Sequence, residues 1–162
     1  MVTVQQLHPA DSEIAEQLAH IMIAAWRSAF RCILSDETIA TYTQLDPCAA
    51  MFSQLLSSGE GTMHLARLDG QPAGLLYWLP ESAQEARIEA LLTIPEAWGK
   101  GVGGTLMTQA LADTKAAGHS TLHVWPFAQN HRARRFYEKQ GLSPTGRTRM
   151  GDAEEVEYIR KL

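Results

Sequence analysis

The spacing of apolar residues divides the first third of the chain into one strand and several helices. Residues 2–7, VTVQQL, alternate between apolar and polar side chains, which is typical of a strand with one buried face. Over residues 11–30 the apolar side chains recur at helical spacing, which predicts an amphipathic helix. Residues 35–56 predict shorter helical pieces that are broken at the Asp-Pro dipeptide 46–47.

Three strand patterns follow in the middle of the chain. Residues 62–68 and 72–80 are largely apolar runs of strand length, and the Asp-Gly dipeptide 69–70 between them is a strong hairpin signal. Residues 86–94 predict a third strand that ends at Pro95, because proline cannot donate a backbone hydrogen bond. The first half of the sheet is therefore expected to be largely antiparallel.

Helices and strands alternate in the last part of the chain. Residues 102–117 predict a helix with one apolar face, which Gly118 ends. Residues 120–125 predict a strand and residues 130–140 a helix. Two strands within residues 142–162 predict a closing hairpin. A helix between two strands requires a crossover connection in the middle of the fold.

This order of elements predicts the fold class. It is a mixed α/β (α+β) domain with a twisted, mostly antiparallel central sheet of about six to seven strands and about four flanking helices. The length of 162 residues suits a single domain that spans residues 1–162. The chain shows no internal repeat, low-complexity segment or linker.

Composition and charge exclude several classes of function. Apolar residues make up 45% of the chain and charged residues 20%, which is ordinary for a globular protein. The net charge is −4, and the densest basic patch is only residues 132–135, so a nucleic-acid partner is not expected. Two cysteines cannot build a disulfide framework or a Cys/His metal site, so no metal is expected. No signal peptide or membrane span is apparent, and a cytoplasmic location is the expectation.

One loop carries most of the chemical signal. Gly99, Lys100 and Gly101 stand between a predicted strand and a predicted helix, and Gly103 and Gly104 lie in the first turn of that helix. The start of a helix presents free N–H donors and the positive end of a dipole, and glycines allow the backbone to approach an anion closely. A pyrophosphate group is the natural ligand of such a loop.

Two pyrophosphate ligands fit this loop at first sight. Residues 99–104 also read G-x-G-x-x-G, the pattern of a dinucleotide-binding turn. That interpretation requires an acidic residue about 20 positions later to hold the ribose, and residues 116–130 contain no Asp or Glu. A loop that binds the pyrophosphate of coenzyme A makes no such demand and is favoured. A glycine-rich connection that binds nothing is the remaining alternative.

Two motifs in the second half resemble the GNAT superfamily of acyl-CoA-dependent N-acyltransferases. The first is a strand, a proline and a [QR]-x-x-G-x-[GA] loop, matched by Gly101 and Gly103; Trp98 stands where the family has Gln or Arg. The second is N-x-x-A-x-x-[FY]-Y-x-x-x-G-[FL]. It is matched by Asn130, Ala133, Phe136, Tyr137, Gly141 and Leu142. The resemblance covers roughly residues 75–142 and implies a GNAT-like fold.

The resemblance also implies the co-substrate, acetyl-CoA or a close acyl-CoA, and the residues that bind it. The loop 99–105 would surround the pyrophosphate, the strand 92–94 would pair with the pantetheine arm, and an N–H near Leu92 would polarise the thioester carbonyl. The residues expected to contact the co-substrate are Leu92, Thr93, Ile94, Gly99, Lys100, Gly101, Val102, Gly103, Gly104, Thr105, Asn130, Ala133 and Phe136.

The implied chemistry is direct attack of a neutral amine on the thioester, with loss of the thiolate. Tyr137 matches the family's usual acid, which would protonate the departing thiolate. Glu89, in the strand before the loop, is the first candidate for the base that deprotonates the amine, directly or through a water. His123 and His64 are weaker candidates, and a water chain without a single base is also open.

In this fold the acceptor site lies between the first-helix region and the last hairpin. The residues expected to bind the acceptor are Trp26, Arg27, Phe30 and Trp78. Asp152, Glu154, Glu155 and Glu157 form an acidic cluster that could attract a polyamine, an aminoglycoside or a lysine side chain. Charges of a solvated turn are the simpler interpretation of that cluster.

The expected function is transfer of an acetyl group from acetyl-CoA to a primary amine of a small molecule or peptide. A catalytically weak acyl-CoA-binding regulatory module is the alternative, and a nicotinamide-binding protein is disfavoured. The expected partners are acetyl-CoA and an amine acceptor, without nucleic acid, membrane or metal. A homodimer is a further possibility by resemblance. The identity of the acceptor and the preferred acyl chain are not determined by the sequence.

Overall fold

The computed structural model describes residues 1–162 as one mixed α/β fold. Seven strands form a single sheet. They are β1 (Val2–Gln6), β2 (Thr62–Leu68), β3 (Gln71–Pro80), β4 (Glu85–Thr93), β5 (Thr121–Val124), β6 (Ser143–Met150) and β7 (Glu154–Lys161). The helices are α1 (Ala15–Ala29), α2 (Asp36–Tyr42), α3 (Leu45–Ser58), α4 (Val102–Ala116) and α5 (His131–Lys139). Short 3-10 turns cover Pro9–Ile14 and Pro95–Ala97.

The sheet has the order β1-β2-β3-β4-β5-β7-β6. Every neighbouring pair is antiparallel except β4 and β5, which run parallel because α4 carries the chain across between them. The predicted mixed, mostly antiparallel sheet is therefore confirmed, and so is the hairpin at Asp69-Gly70. None of the helices is long and apolar enough to cross a bilayer.

Two hydrophobic clusters pack on the two faces of the sheet. On one face α1 and α3 cover the strands with a cluster that includes Leu18, Phe52 and Leu75. On the other face α4 and α5 pack over a cluster that includes Leu106 and Leu122. Burying both faces of the central strands explains why β3 reads as a continuous apolar run rather than an alternating one.

A close approach between α4 and β3 depends on Gly74. A Cβ atom added to this glycine would lie 2.9 Å from Cγ1 of Val102 and 3.0 Å from the carbonyl oxygen of Leu92. Because neither the backbone nor the fully buried Val102 can move away, a larger residue would push the start of α4 off the sheet. Gly74 thus fixes the height of the glycine loop above the strands.

The helices differ from the prediction in two places. The expected break at Asp46-Pro47 is wrong, because both residues lie in the first turn of α3. The N–H groups of a first turn have no acceptor within the helix, so a proline there costs no hydrogen bond. The break falls at residues 43–44 instead. The first predicted helix begins as a 3-10 turn at residues 9–14 and becomes α-helical only at Ala15. Five α-helices flank the sheet, where the sequence predicted about four.

Candidate active site

A large cavity of about 980 Å³ opens along the middle of the sheet. One end, called here the loop half, is lined by residues 91–93, 97–99 and 101–104 and by α5. The other end, the aromatic half, is lined by α1, α3 and residues 125–127. β4 runs through both halves, so a molecule that lies along β4 can touch the two ends at once.

The loop half contains the glycine loop and the start of α4. Gly99 and Gly101 have φ values of +74° and +86°, a region that glycine enters without strain. Gly101 is the N-cap residue of α4, and no side chain caps the helix there. The N–H groups of the first helical turn at Val102, Gly103 and Gly104 therefore remain available to an anion in the cavity.

The edge of β4 that lines the cavity is free because β5 ends early. β5 pairs with β4 only as far as Ile88 and Val124, whereas β4 continues to Thr93. The N–H of Ile94 donates to the carbonyl of Ala73 at 3.0 Å, so Ile94 faces β3 with its backbone. Since backbone direction alternates along a strand, Leu91 and Thr93 turn their N–H and C=O groups toward the gap. The N–H expected near Leu92 is thereby replaced by those of its two neighbours.

Tyr137 lies at the wall of the cavity between the free edge of β4 and α5. Its side chain is 6% exposed, and burial raises the pKa of its phenol well above the ordinary value. The neighbouring Tyr158 donates to Oε1 of Glu138 at 2.8 Å and accepts from Nε of Arg134 at 3.1 Å. Tyr137 has no such partner, so its protonated hydroxyl is available to a ligand in the cavity.

A cation that the sequence analysis did not single out lines the loop half. The guanidinium carbon of Arg132 lies 3.4 Å from the centroid of the Trp98 ring. The indole Nε1 of Trp98 in turn donates to the carbonyl oxygen of Thr93 at 3.4 Å. Trp98 occupies the position where the resembling family has Gln or Arg, and its stacked partner supplies a cation next to the glycine loop. The only sequence signal for this was the basic patch at residues 132–135.

Asn130, Ala133 and Phe136 all line the loop half, as expected from their motif. Asn130 caps α5 by accepting from the N–H of Ala133 at 3.2 Å. The ring of Phe136 lies over Gly103, where an added Cβ would meet it at 3.4 Å. The second motif therefore positions α5 against the glycine loop as well as lining the cavity.

Glu89 lies where β4 departs from regular pairing. Ala90 pairs with Tyr77 and Ile88 with Trp78, so Glu89 is the extra residue of a β-bulge. The bulge brings its carboxylate to the cavity, where it forms an ion pair with Arg87. Arg87 also contacts Oε1 of Glu81 through Nε at 2.6 Å. A guanidinium thus holds Glu89 next to the site at which β4 becomes free.

The aromatic half has a wall of rings. Trp26 of α1 and Phe30, the C-cap residue of that helix, are four residues apart, and their ring centroids are 5.2 Å apart in an edge arrangement. Phe127, which follows β5, packs edge-on against Phe30 at 5.0 Å. Tyr42 of α2 supports Trp26 from behind at 5.3 Å. Trp26 and Phe30 therefore line the cavity, and Phe127 joins them.

Two residues predicted for the acceptor site lie elsewhere. Arg27 points away from the cavity and donates to the carbonyl oxygen of Thr43 at 3.4 Å. Trp78 is 6% exposed and packs in the core under α4, edge-on to His119. Because side chains alternate along β3, Tyr77 rather than Trp78 points to the cavity.

Three residues predicted to contact the co-substrate are also outside the cavity wall. Lys100 is exposed at the tip of the loop. The hydroxyl of Thr105 donates back to the carbonyl oxygen of Gly101 at 2.9 Å. Ile94 packs between the two hydrophobic clusters. Leu92, Thr93 and the remaining loop residues line the cavity.

The other titratable groups named from sequence have protein partners. His64 is buried under α4, with Nε2 3.2 Å from Oδ2 of Asp113, and burial lowers its pKa more than Asp113 raises it. His123 contacts Glu157 at 3.1 Å. Neither histidine lines the cavity. No group of three His, Cys, Asp or Glu side chains is placed to hold a metal ion.

Half of the acidic cluster is neutralised within the last hairpin. Glu155 accepts from Nε of Arg149 at 2.7 Å, and the nearly buried Glu157 forms an ion pair with Arg147 at 3.4 Å. Asp152 and Glu154 are exposed near the turn and do not line the cavity. The four carboxylates therefore do not form a joint cation site.

Comparison with known proteins identifies the family of this architecture. The family described as Acetyltransferase (GNAT) family matches residues 19–142, which is more than half of the chain. An uncharacterised N-acetyltransferase of Archaeoglobus fulgidus is 26% identical over 143 residues, covering 85% of this chain and 92% of the relative. An uncharacterised N-acetyltransferase of Mycobacterium bovis is 29% identical over 149 residues, covering 90% of this chain and 94% of the relative.

Solved structures share the whole fold. The PaiA N-acetyltransferase of Thermoplasma acidophilum, determined in complex with coenzyme A, has a TM-score of 0.83 at 19% identity and covers 100% of this chain and 99% of its own. Aminoglycoside 6'-acetyltransferase type Ii has a TM-score of 0.76 at 14% identity, with coverages of 98% and 96%. The sequence motifs, the sheet with its free β4 edge and the family match agree, and the chain belongs to the GNAT family of N-acetyltransferases.

Proposed function

We propose that this protein transfers an acyl group, most simply acetyl, from acyl-CoA to a primary amine. The observation that carries the proposal is the continuity of the cavity. It joins an uncapped helix start, a free strand edge and an unpartnered tyrosine hydroxyl in one space of about 980 Å³. The helix start suits a phosphate, the strand edge suits an extended chain with amide groups, and the hydroxyl suits a thiolate leaving group.

The loop half would bind the pyrophosphate of the acyl donor. The first-turn N–H groups of α4 and the dipole of that helix favour an anion there. Arg132 would add a charged contact from above the Trp98 ring, which replaces the side chain that the family carries in the loop. The solved relative of T. acidophilum, which holds coenzyme A, supports this choice of donor.

The free edge of β4 would hold the pantetheine arm. An extended chain with amide groups can pair with the edge of a sheet as an added strand. Thr93 and Leu91 offer N–H and C=O groups on that edge, and the register identifies them as the residues whose backbone faces the gap. Leu91 is then the donor nearest Glu89, and its N–H would stabilise the oxyanion at the thioester carbonyl.

The residues around this point account for both proton transfers. As the amine nitrogen bonds to the acyl carbon and the carbon–sulfur bond breaks, Tyr137 gives its proton to the departing sulfur. Burial raises its pKa, so the phenol still carries its proton when the thiolate forms. Glu89, or a water bound to it, takes the proton that the nitrogen loses. The ion pair with Arg87 holds Glu89 in position for this step.

The proposal is tested by separating binding from chemistry. Isothermal titration of the full chain with acetyl-CoA, CoA and NAD should show binding of the first two and none of NAD. Release of free thiol should then require an added amine. Binding of acetyl-CoA without thiol release from any amine would favour the alternative, a regulatory acyl-CoA-binding module. Absence of acetyl-CoA binding at millimolar concentration would overturn the proposal.

A further inference from the structure

Apolar side chains make up most of the lining of the aromatic half. Besides the ring wall of Trp26, Phe30 and Phe127, further apolar side chains from α1, α3 and β3 complete its lining. They are Met22, Ala25, Met51, Phe52, Leu55 and Leu79. Apolar and aromatic linings favour a ligand body that is itself apolar, and edge-to-face ring packing favours a flat one.

Most charges that reach this half are paired within the protein. Glu89 pairs with Arg87, and Glu155 pairs with Arg149 at 2.7 Å. The guanidinium of Arg149 also lies over the ring of Trp125 at 4.5 Å. These pairs leave Glu60, in the loop between α3 and β2, as the cavity carboxylate without an ion pair.

An unpartnered hydroxyl lies beside this carboxylate. Tyr77 is only 4% exposed, lines the cavity and has no hydrogen-bond partner for its hydroxyl, although the Ser58 side chain is close. Its ring packs against the backbone of Gly61, where an added Cβ would lie 2.5 Å away. Burial raises the pKa of the Tyr77 hydroxyl, and the nearby charges of Glu60 and Glu89 raise it further. A buried hydroxyl without a partner is costly, and a ligand group that forms a hydrogen bond here would remove that cost.

We infer that the acceptor is a monoamine with a flat apolar or aromatic body. Its nitrogen is recognised at the corner formed by Glu60, Tyr77 and Glu89, and its body packs on Trp26, Phe30 and Phe127. This inference rests on the proposed acyl transfer. It distinguishes the acceptor from polyamines and aminoglycosides, because a second ammonium group would have to lie among apolar side chains without a counter-charge.

A panel of amines tests the inference in the thiol-release assay. We expect kcat/KM for 2-phenylethylamine and tryptamine to exceed that for spermidine, lysine and kanamycin by about tenfold or more. Hexylamine, which is apolar but not flat, should fall between the two groups. A polyamine or aminoglycoside preferred over the aromatic monoamines would overturn the inference and leave acyl transfer intact. Acetyl-CoA binding with no turnover of any aromatic monoamine would also overturn the inference.

Variants of the ring wall identify the residues that hold the body of the amine. Trp26→Ala and Phe30→Ala should each raise KM for 2-phenylethylamine by about tenfold and leave the Kd for acetyl-CoA unchanged. Arg27→Ala lies on the same helix but points away from the cavity, and it should change neither value. Trp26→Phe keeps a ring and separates lost packing from lost folding. An unchanged KM in both alanine variants would contradict the assignment.

Tyr77→Phe separates a ligand role of the hydroxyl from a structural one. Since the hydroxyl has no protein partner, its removal should leave the melting temperature unchanged or slightly raised. KM for the amine should nevertheless rise roughly fivefold, and Glu60→Gln should have a similar effect. Glu37→Gln, an exposed carboxylate outside the cavity, is the control. A lowered melting temperature with an unchanged KM would show that the hydroxyl serves only the fold.

Discussion

The two halves of the cavity are built from different parts of the chain. The loop half is mostly backbone and comes largely from one contiguous stretch, residues 91–104, with α5 beside it. The aromatic half is mostly side chain and is assembled from α1, α3, β3 and residues 125–127. A backbone site is set by where glycines and strand ends fall, whereas a side-chain site is set by which distant elements meet. The first therefore constrains its ligand more strictly than the second.

The largest effect should come from placing a side chain in the backbone site. Gly101→Asp adds strain at φ +86° and a negative charge at the start of α4. We expect the affinity for acetyl-CoA to fall by roughly 100-fold, measured by isothermal titration. Gly118→Asp is a matched control, because Gly118 has φ +92° at the opposite end of α4. Equal losses of affinity in both variants would show that strain, and not the phosphate contact, is responsible.

Tyr137→Phe tests the boundary between the halves. Turnover should fall by about 100-fold while the Kd for acetyl-CoA stays constant, because the role proposed for the hydroxyl is to protonate the leaving sulfur and not to bind the donor. Tyr158→Phe removes a neighbouring hydroxyl that has protein partners, so it should cost stability of about 1 kcal/mol and little turnover. Steady-state kinetics and thermal melts distinguish these outcomes. Unchanged turnover in Tyr137→Phe would remove that residue from the acid role.

A smaller loss of acetyl-CoA affinity should follow from replacing Arg132, whose guanidinium stacks on Trp98 of the loop. Arg132→Met should weaken acetyl-CoA binding by about tenfold, and the remaining affinity should depend less on salt concentration. Arg132→Lys keeps the charge but loses the flat stacking surface on Trp98, so it should recover only part of the affinity. Full recovery with lysine would show that charge alone matters.

The smallest effect concerns the support behind the loop half. His64 is buried under α4, and burial lowers its pKa in the folded protein. In the unfolded chain its pKa is about 6.5. As the pH falls, the unfolded chain therefore takes up a proton at His64 before the folded protein does. Its contribution to stability is complete above about pH 6.5 and is lost as the pH falls toward the folded pKa. The melting temperature should therefore fall from about pH 7 to about pH 5.5, and it should fall less steeply in His64→Asn.

The same division explains what the sequence predicts. Gly101 and Asn130 belong to local motifs whose spacing is visible in one stretch, and both line the cavity where expected. The strand runs and the Asp-Gly turn predicted the antiparallel part of the sheet for the same reason. The break at Asp46-Pro47 was misplaced because proline stops a helix in its interior but is tolerated in its first turn.

The features that were missed depend on register and on distant contacts. The strand parity that turns Tyr77 rather than Trp78 to the cavity becomes visible only once the sheet is paired. The bulge at Glu89 is a mismatch between two strands and leaves no mark in either one alone. Arg27 was misplaced because helical spacing identifies the middle of a helix face but not whether a residue at its edge points toward or away from it.

The contact between Arg132 and Trp98 joins two motifs that look separate along the chain. Replacing either residue alone removes the stacking contact and leaves the other side chain without its partner. The two positions are therefore expected to vary together: relatives with tryptophan at the position of Trp98 should have arginine at the position of Arg132. In relatives whose loop carries glutamine or arginine at the position of Trp98, the residue at the position of Arg132 is expected to vary.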